Sequence, residues 1–241
     1  MSKAHSRSNK LYWVRDNVIA GDFPRLSAAL KEPDGLLAIG GDLSPERMLH
    51  AYQNGIFPWY NEGQPILWWS PDPRWVLEPA TVKISRSLRR TFNRNIFHVT
   101  YDTHFSRVME MCAAPRKDTD ATWITPDILH SFNLLHKQGY GHSVECWADG
   151  RLVGGLYGLA IGRIFFGESM FSRRSDASKV ALVSLARQLQ EWDFRIIDCQ
   201  VHSRHLQSLG ATAMPREKFA ALLKQYCTPH VQHDWRRLNV T

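Results

Sequence analysis

The stretch SVECWADGRLVGGLYGLAIGRIFFGESMFSRRSDASKVALVSLARQLQEWDFRIIDCQV, residues 143–201, decides the fold. Residues 143–148 and 152–161 are two apolar runs around Asp149-Gly150, a dipeptide suited to a type I′ turn, so they predict a β-hairpin. Gly162 separates them from a third strand over 163–166. Leu182, Leu185, Leu189 and Trp192 then recur at helical spacing, predicting a helix over 176–191 with Ser175 as its cap. RIIDCQV, 195–201, reads as an apolar strand that follows it. Antiparallel strands, then helix, then strand predict an α+β fold with a mixed sheet.

Working outward, a short helix is predicted to lead to Leu209-Gly210, with a last helix over roughly 215–226. Upstream, a strand at 96–101 and helices at 104–113 and after Thr125-Pro126 complete this part. KISRSLRRTFNR, 83–94, reads as a basic helix capped by Ser85. The first third is dense in turn signals, with one helix between Ser44-Pro45 and Asn54-Gly55. Residues 66–69 and 74–77 read as short strands across the SPDP turn. The expected organisation is a small N-terminal α/β unit, 1–90, followed by a larger domain, 91–241.

With 241 residues, 44% hydrophobic and 22% charged, the composition is that of a folded globular chain, not of a disordered, collagenous or coiled-coil one. No run approaches the roughly 18 apolar residues of a membrane span, and MSKAHSRSNK lacks an apolar segment behind it, so neither a membrane protein nor a secretory leader is expected. Four scattered cysteines without a CxxC pair fit a reducing cytoplasm. A net charge of +7 is compatible with a nucleic-acid partner or with a merely basic surface.

Several motifs fail. Gly167-Glu168-Ser169-Met170 starts like a nucleophile elbow, but Phe171 stands where the turn needs Gly. Cys199, His202 and His205 have metal-ligand types without a fourth partner, and His230-x-x-His233 is a tail pattern. No GxGxxG or P-loop is present. MFSRRSDASK, ahead of the helix at 176–191, is too poor in glycine to form a backbone nest for a pyrophosphate.

RIIDCQV is more telling. Asp198 and Gln200 alternate with apolar residues and are expected on one face of the strand. A carboxylate there is costly unless it meets a partner, such as a nearby Arg, or a ligand. Glu168, after the apolar run 164–167, poses the same question. Two acids on adjacent buried strands suit a cationic or amine substrate.

The element order resembles the N-acetyltransferase (GNAT) fold. EPDGLLAIGGDLSPERMLHAYQNGIFPWY (32–60), PILWWSPDPRWVL (65–77), TWIT (122–125), FFGESMFSRRSDASKVAL (165–182) and RIIDCQVHSRHLQSLGA (195–211) resemble, in order, the signatures of the leucyl/phenylalanyl-tRNA–protein transferase family. That resemblance implies a GNAT-like second domain and transfer of Leu or Phe from aminoacyl-tRNA to proteins that begin with Arg or Lys, marking them for degradation. It implies no cofactor, neither coenzyme A nor metal. Apart from the resemblance, a monomer in the cytoplasm is expected. Asp198, Gln200 and Glu168 match the family's catalytic positions. On this reading Asp198 meets the incoming ammonium, Gln200 orients, and Glu168 engages the aminoacyl amino group or shapes the same pocket. Trp59, Trp123, Leu156 and Phe165 are expected around the Leu or Phe side chain, with ordinary core as the alternative for each. Lys83, Arg86, Arg89, Arg90 and Arg94 are expected to meet tRNA phosphates, with a solvated helix face as the alternative. Two rival functions are a coenzyme A-dependent N-acyltransferase and a non-catalytic tRNA-binding module.

Overall fold

The structure, a computed structural model, describes residues 11–16, 21–115, 122–228 and 233–239. The polar first ten residues and His230 lie outside them.

The N-terminal third builds a four-stranded sheet from β1 (Tyr12–Val14), β2 (Leu36–Gly40), β3 (Phe57–Pro58) and β4 (Leu67–Trp69), in the order β1-β2-β4-β3, with helix α1 (Pro45–Gln53) between β2 and β3. Pro45 opens α1 as expected. Ser44 precedes it without a side-chain cap bond; instead the Ser44 amide donates to Asp42 Oδ1 at 2.9 Å.

The rest forms a seven-stranded sheet: β5 (Arg74–Leu77), β6 (His98–Tyr101), β7 (Gly141–Ala148), β8 (Arg151–Ile161), β9 (Ile164–Ser172), β10 (Ile196–Gln200) and β11 (Thr212–Met214). Their order is β11-β5-β10-β9-β8-β7-β6. The helices are α2 (Arg86–Asn93), α3 (Phe105–Ala113), α4 (Pro126–Lys137), α5 (Ala177–Glu191), α6 (Arg204–Ser208) and α7 (Arg216–Tyr226). The predicted α+β arrangement with a mixed sheet is what the chain adopts. β9 and β10 are parallel, joined by α5, and the other pairs in this sheet are antiparallel. A parallel pair needs a crossover, which the Leu stripe of α5 supplies by packing on the sheet.

The hairpin turn is as read: Asp149 and Gly150 both have positive φ, 52° and 68°. Ser85 and Thr125 cap α2 and α4, accepting from the amides of Leu88 and Ile128. Three expectations need correction. The residue before α5 is Asp176, in the left-handed region at φ 67°, not Ser175 as cap. The third strand runs on to Ser172, because its outer half continues to pair with Gly154–Tyr157 of β8. The strands at 67–69 and 74–77 do not pair across SPDP; β5 instead inserts between β10 and β11 of the larger sheet.

The sheet is covered on both faces. Along β8 and β9 the side chains alternate: Tyr157 and Phe166 belong to a core with α1, α3, α4 and α7, whereas Leu156 and Phe165 face α5. The first core also takes in Val14, Leu37 and Trp68 of the small sheet, so the two sheets share one apolar interior. Gly154 lets the start of α5 approach β8 closely, since a Cβ there would lie 2.5 Å from the Ala177 Cβ.

Candidate active site

The site is built where β9 and β10 run parallel. Asp198 is level with Phe166, which places Glu168 one pleat further along β9. β10 does not finish as a regular strand. Its pairing with β5 slips between Asp198 and Gln200, and Gln200 sits at φ 62°. Such a bulge re-aims a side chain: Gln200 Nε2 reaches across to donate to Glu168 Oε1 at 2.8 Å. The simple two-residue alternation expected from the sequence is therefore broken at this point.

Asp198 is fully buried, and its carboxylate is paired with Arg74 on β5. Arg74 Nε donates to Oδ1 at 2.8 Å and Nη2 to Oδ2 at 2.6 Å, the bidentate fork that suits a guanidinium. The Gln200 amide also donates to Oδ1, at 2.9 Å. Of the two partners the sequence allowed for Asp198, an Arg or a cationic ligand, the Arg is the one in place. Arg74 is itself buried; its Nη1 donates to the Gly55 carbonyl at 3.2 Å, and its guanidinium lies 4.7 Å from the Phe57 ring and 4.9 Å from that of Phe219. It thus ties the small sheet and α7 to the centre of the larger sheet. The sequence reading missed it, although a cation in the apolar run RWVL carries the same signal as an acid in RIIDCQV.

Glu168 has no guanidinium of its own. Burial, followed by the neighbouring Asp198 carboxylate, pushes its carboxyl up to about 8, while Tyr52, Gln200 and Arg74 act in the other direction. The buried Tyr52 and Tyr157 phenols are in turn held well above their ordinary value, chiefly by burial and then by Glu168.

Glu168, Gln200 and Asp198 lie along a cavity of about 700 Å³, which Trp59, Trp123, Leu156 and Phe165 also line. All four residues expected around an aminoacyl side chain are thus on one wall system with the three polar ones. Leu156 and Phe165 are core residues at the same time, whereas Trp59 is 45% exposed at the mouth. The expected phosphate-binding cations lie outside it. Arg86, Arg89 and Arg90 are exposed on α2, Lys83 and Arg94 on its flanks, and none of the five forms an ion pair among the described residues. α2 nevertheless borders the cavity, because Thr91 Oγ1 donates to Asp176 at 3.1 Å and Asp176 is on the cavity wall. Cys199, His202 and His205 do not converge: among the described residues no group of three or more His, Cys, Asp or Glu could hold a metal ion.

The chain was compared with known proteins. A family model described as leucyl/phenylalanyl-tRNA protein transferase matches residues 76–224, and one for the N-terminal domain of the same proteins matches residues 41–72. Curated proteins named leucyl/phenylalanyl-tRNA–protein transferase are similar over most of their length. One from Aromatoleum aromaticum is 61% identical over 205 residues, 85% of this chain and 86% of that protein. One from Nitrosospira multiformis is 56% identical over 84% of this chain and 88% of that protein. One from Stutzerimonas stutzeri is 53% identical over 94% and 99%. Solved structures are matched loosely. A GCN5-related N-acetyltransferase from Kribbella flavida has a TM-score of 0.39 at 13% identity, covering 69% of this chain and 59% of that one. L-PGS from Bacillus licheniformis has a TM-score of 0.39 at 12% identity, covering 78% and 59%.

Proposed function

The chain belongs to the leucyl/phenylalanyl-tRNA–protein transferase family, and from that premise we propose that the cavity between β9, β10 and α5 joins Leu or Phe, delivered by aminoacyl-tRNA, to the N-terminal Arg or Lys of an acceptor protein. The observation that carries this reading is one cavity with an apolar wall beside a single carboxyl that lacks a cationic partner of its own. The apolar wall, Trp59, Trp123, Leu156 and Phe165, suits a Leu or Phe side chain and would leave a charged one unpaired. Glu168 suits an amine, and we assign it the α-amino group of the aminoacyl moiety, with Gln200 holding the carboxyl in place.

The reaction needs no covalent enzyme intermediate. The acceptor α-amine attacks the ester carbonyl; the C–N bond forms, the bond from carbonyl carbon to ribose oxygen breaks, and the proton lost by nitrogen ends on that oxygen. An α-amine with a pKa near 8 is already partly neutral at pH 7, so holding amine and ester together can provide much of the rate. Asp198 acts through its contacts: it fixes Arg74 on one side and the backbone of Gln200 on the other.

The α2 cations Arg86, Arg89 and Arg90, with Lys83 and Arg94 beside them, are assigned to tRNA phosphates. Reversing the first three to Glu is expected to weaken tRNA binding and flatten its dependence on salt, with the fold intact. The protein is read as a cytoplasmic monomer that marks its targets for degradation, organised as a small N-terminal unit and a GNAT-like domain, with the boundary expected at 90 moved ahead of β5, which belongs to the larger sheet. Four buried free cysteines are in keeping with a reducing compartment, and among the described residues no helix is long and apolar enough to cross a membrane. A coenzyme A-dependent reading is disfavoured by Asp176: its carboxylate stands at the start of α5, where a pyrophosphate would need donors. The test is to incubate the protein with Phe-tRNA, acetyl-CoA and a peptide that begins with Arg, then weigh the peptide. Gain of one Phe residue is expected; gain of an acetyl group, or no gain, overturns the proposal.

A further inference from the structure

A second cavity, of about 540 Å³, opens where α2 runs out at Asn95. Its walls include the rings of Phe97, His104 and Trp147, with Thr103 at the edge and the hairpin tip Asp149-Gly150 beside them. The Trp147 indole N–H is already committed to Thr100 Oγ1 at 2.8 Å, which holds the half-buried ring in place at the cavity wall. The His104 ring meets Trp147 edge to face, with centroids 5.0 Å apart. The one carboxylate on the wall, Asp149, is paired with Arg174 at 3.1 Å.

Cations flank these rings. Arg174 also lies 5.6 Å from the centre of the Phe97 ring, Arg94 adjoins Asn95, and Arg86, Arg89 and Arg90 are exposed along α2. The same elements border the transfer cavity. Thr91 of α2 is bonded to Asp176, and Ser172 donates to the Arg174 carbonyl at 2.8 Å; Asp176 and Ser172 both line the first cavity. Aromatic side chains at a cavity wall beside exposed cations, on elements bonded to the wall of the transfer cavity, have the chemistry of a path for single-stranded nucleic acid. Bases stack on the rings while phosphates meet the cations.

We propose that the second cavity receives an unpaired base from the acceptor end of the bound aminoacyl-tRNA, stacked against Trp147, with neighbouring phosphates on Arg94 and Arg174. This rests on the tRNA-dependent transfer proposed above and extends it: the ester occupies the first cavity while the same strand continues along α2 to the second. On this proposal a donor that ends at the ester-bearing nucleoside leaves the second cavity empty, whereas a full tRNA fills it.

Steady-state transfer to an Arg-starting peptide is therefore compared for Phe-tRNA and for Phe esterified to adenosine. Trp147→Ala is expected to raise KM for Phe-tRNA about tenfold, the scale of one lost base stack, with kcat unchanged and the adenosine donor unaffected. Trp147→Phe, which keeps a ring face, is expected to recover most of that loss. An unchanged KM for Phe-tRNA, or an equal rise for both donors, overturns the proposal. Because Trp147→Ala also removes the bond to Thr100 and could disturb folding, the unsubstituted protein is tested as well. Phe-tRNA carrying 4-thiouridine at each unpaired acceptor-end position in turn is irradiated on the protein. A cross-link within residues 95–104 or 145–150 is expected from one of them, and none from any position overturns the proposal. Absence of transfer from Phe-tRNA by the unsubstituted protein would instead remove the underlying function.

Discussion

Glu145 on β7 and Glu168 on β9 flank the same strand, β8, and both are drawn in from solvent, yet they are treated in opposite ways. Glu145 is fully buried and saturated: Oε2 accepts from the Thr100 and Thr103 hydroxyls at 2.6 and 2.8 Å, and Oε1 from the Ser143 hydroxyl at 2.5 Å and the His104 amide at 3.3 Å. Glu168 accepts from Gln200, has the Tyr52 phenol beside it, and keeps the rest of its carboxyl toward a cavity. A buried acid with all its donors in place is a structural part. An acid left short of donors, with its proton held up to about pH 8, is poised to accept a ligand in their place. What separates the two regions is the number of hydroxyls the neighbouring strands bring, together with the opening of Glu168, and not of Glu145, toward a cavity; the residue type is the same.

The comparison is strained hardest at the seam beside Glu168. Arg74→Ala leaves the fully buried Asp198 carboxylate without its guanidinium, an uncompensated charge beside Glu168. A loss of about 3–5 kcal/mol in unfolding free energy is expected, read by denaturant titration. A loss under 1 kcal/mol would mean that the seam relaxes and that Arg74 does not organise it.

Exchanging the two glutamates in turn sharpens the contrast. Glu168→Gln is expected to leave the protein at least as stable as the original and to lower single-turnover transfer of Phe about 10–100-fold, the scale of a lost hydrogen bond to a charged group. Glu145→Ala is expected to do the reverse, costing about 1–3 kcal/mol of stability by stranding its donors while the folded fraction transfers normally. If both variants lose transfer and keep stability, the division into structural and functional acid fails.

Asp198→Asn separates the seam's own two acids. Because both Asp198 oxygens are already taken up by Arg74 and the Gln200 backbone N–H, the expected result is a stability loss of about 1–3 kcal/mol, visible in the melting temperature. A mutant as stable as the original protein that has lost transfer would return Asp198 to direct contact with the substrate.

The last contrast is in the pH dependence of stability. The folded state keeps the Glu168 proton up to about pH 8, whereas an ordinary glutamic acid releases it near 4.5. Between these values the native state binds the extra proton, so Glu168 makes stability fall as pH rises, by at most about 1.4 kcal/mol per unit. Melting temperatures from pH 5 to 8 (roughly the window set by those pKa values) should decline less steeply in Glu168→Gln. Parallel profiles would remove the raised proton affinity from the account.

Much of the fold could be read in advance because its signals are local. The Asp149-Gly150 turn, the Ser85 and Thr125 caps and the Leu stripe of α5 are each set by a few neighbouring residues, and the structure follows them. What failed were statements about pairing. That β5 leaves its neighbour β4 and inserts between β10 and β11 depends on strands more than 100 residues away in sequence. No local propensity encodes that choice. The continuation of β9 to Ser172 likewise follows from the length of β8 opposite it.

The sequence by itself determined that acids sit in apolar strands, that a basic helix precedes the sheet, and which family signatures run through the chain, because burial cost and motif are properties of residue type and order. Only the tertiary structure decided who partners whom. It gave Asp198 to Arg74, turned Gln200 through a bulge onto Glu168, and left Glu168 beside a cavity whose wall Leu156 and Phe165 share with the core. The reason is physical: the cost of a buried charge is fixed by its side chain, but what offsets that cost is whatever the fold brings within about 3 Å.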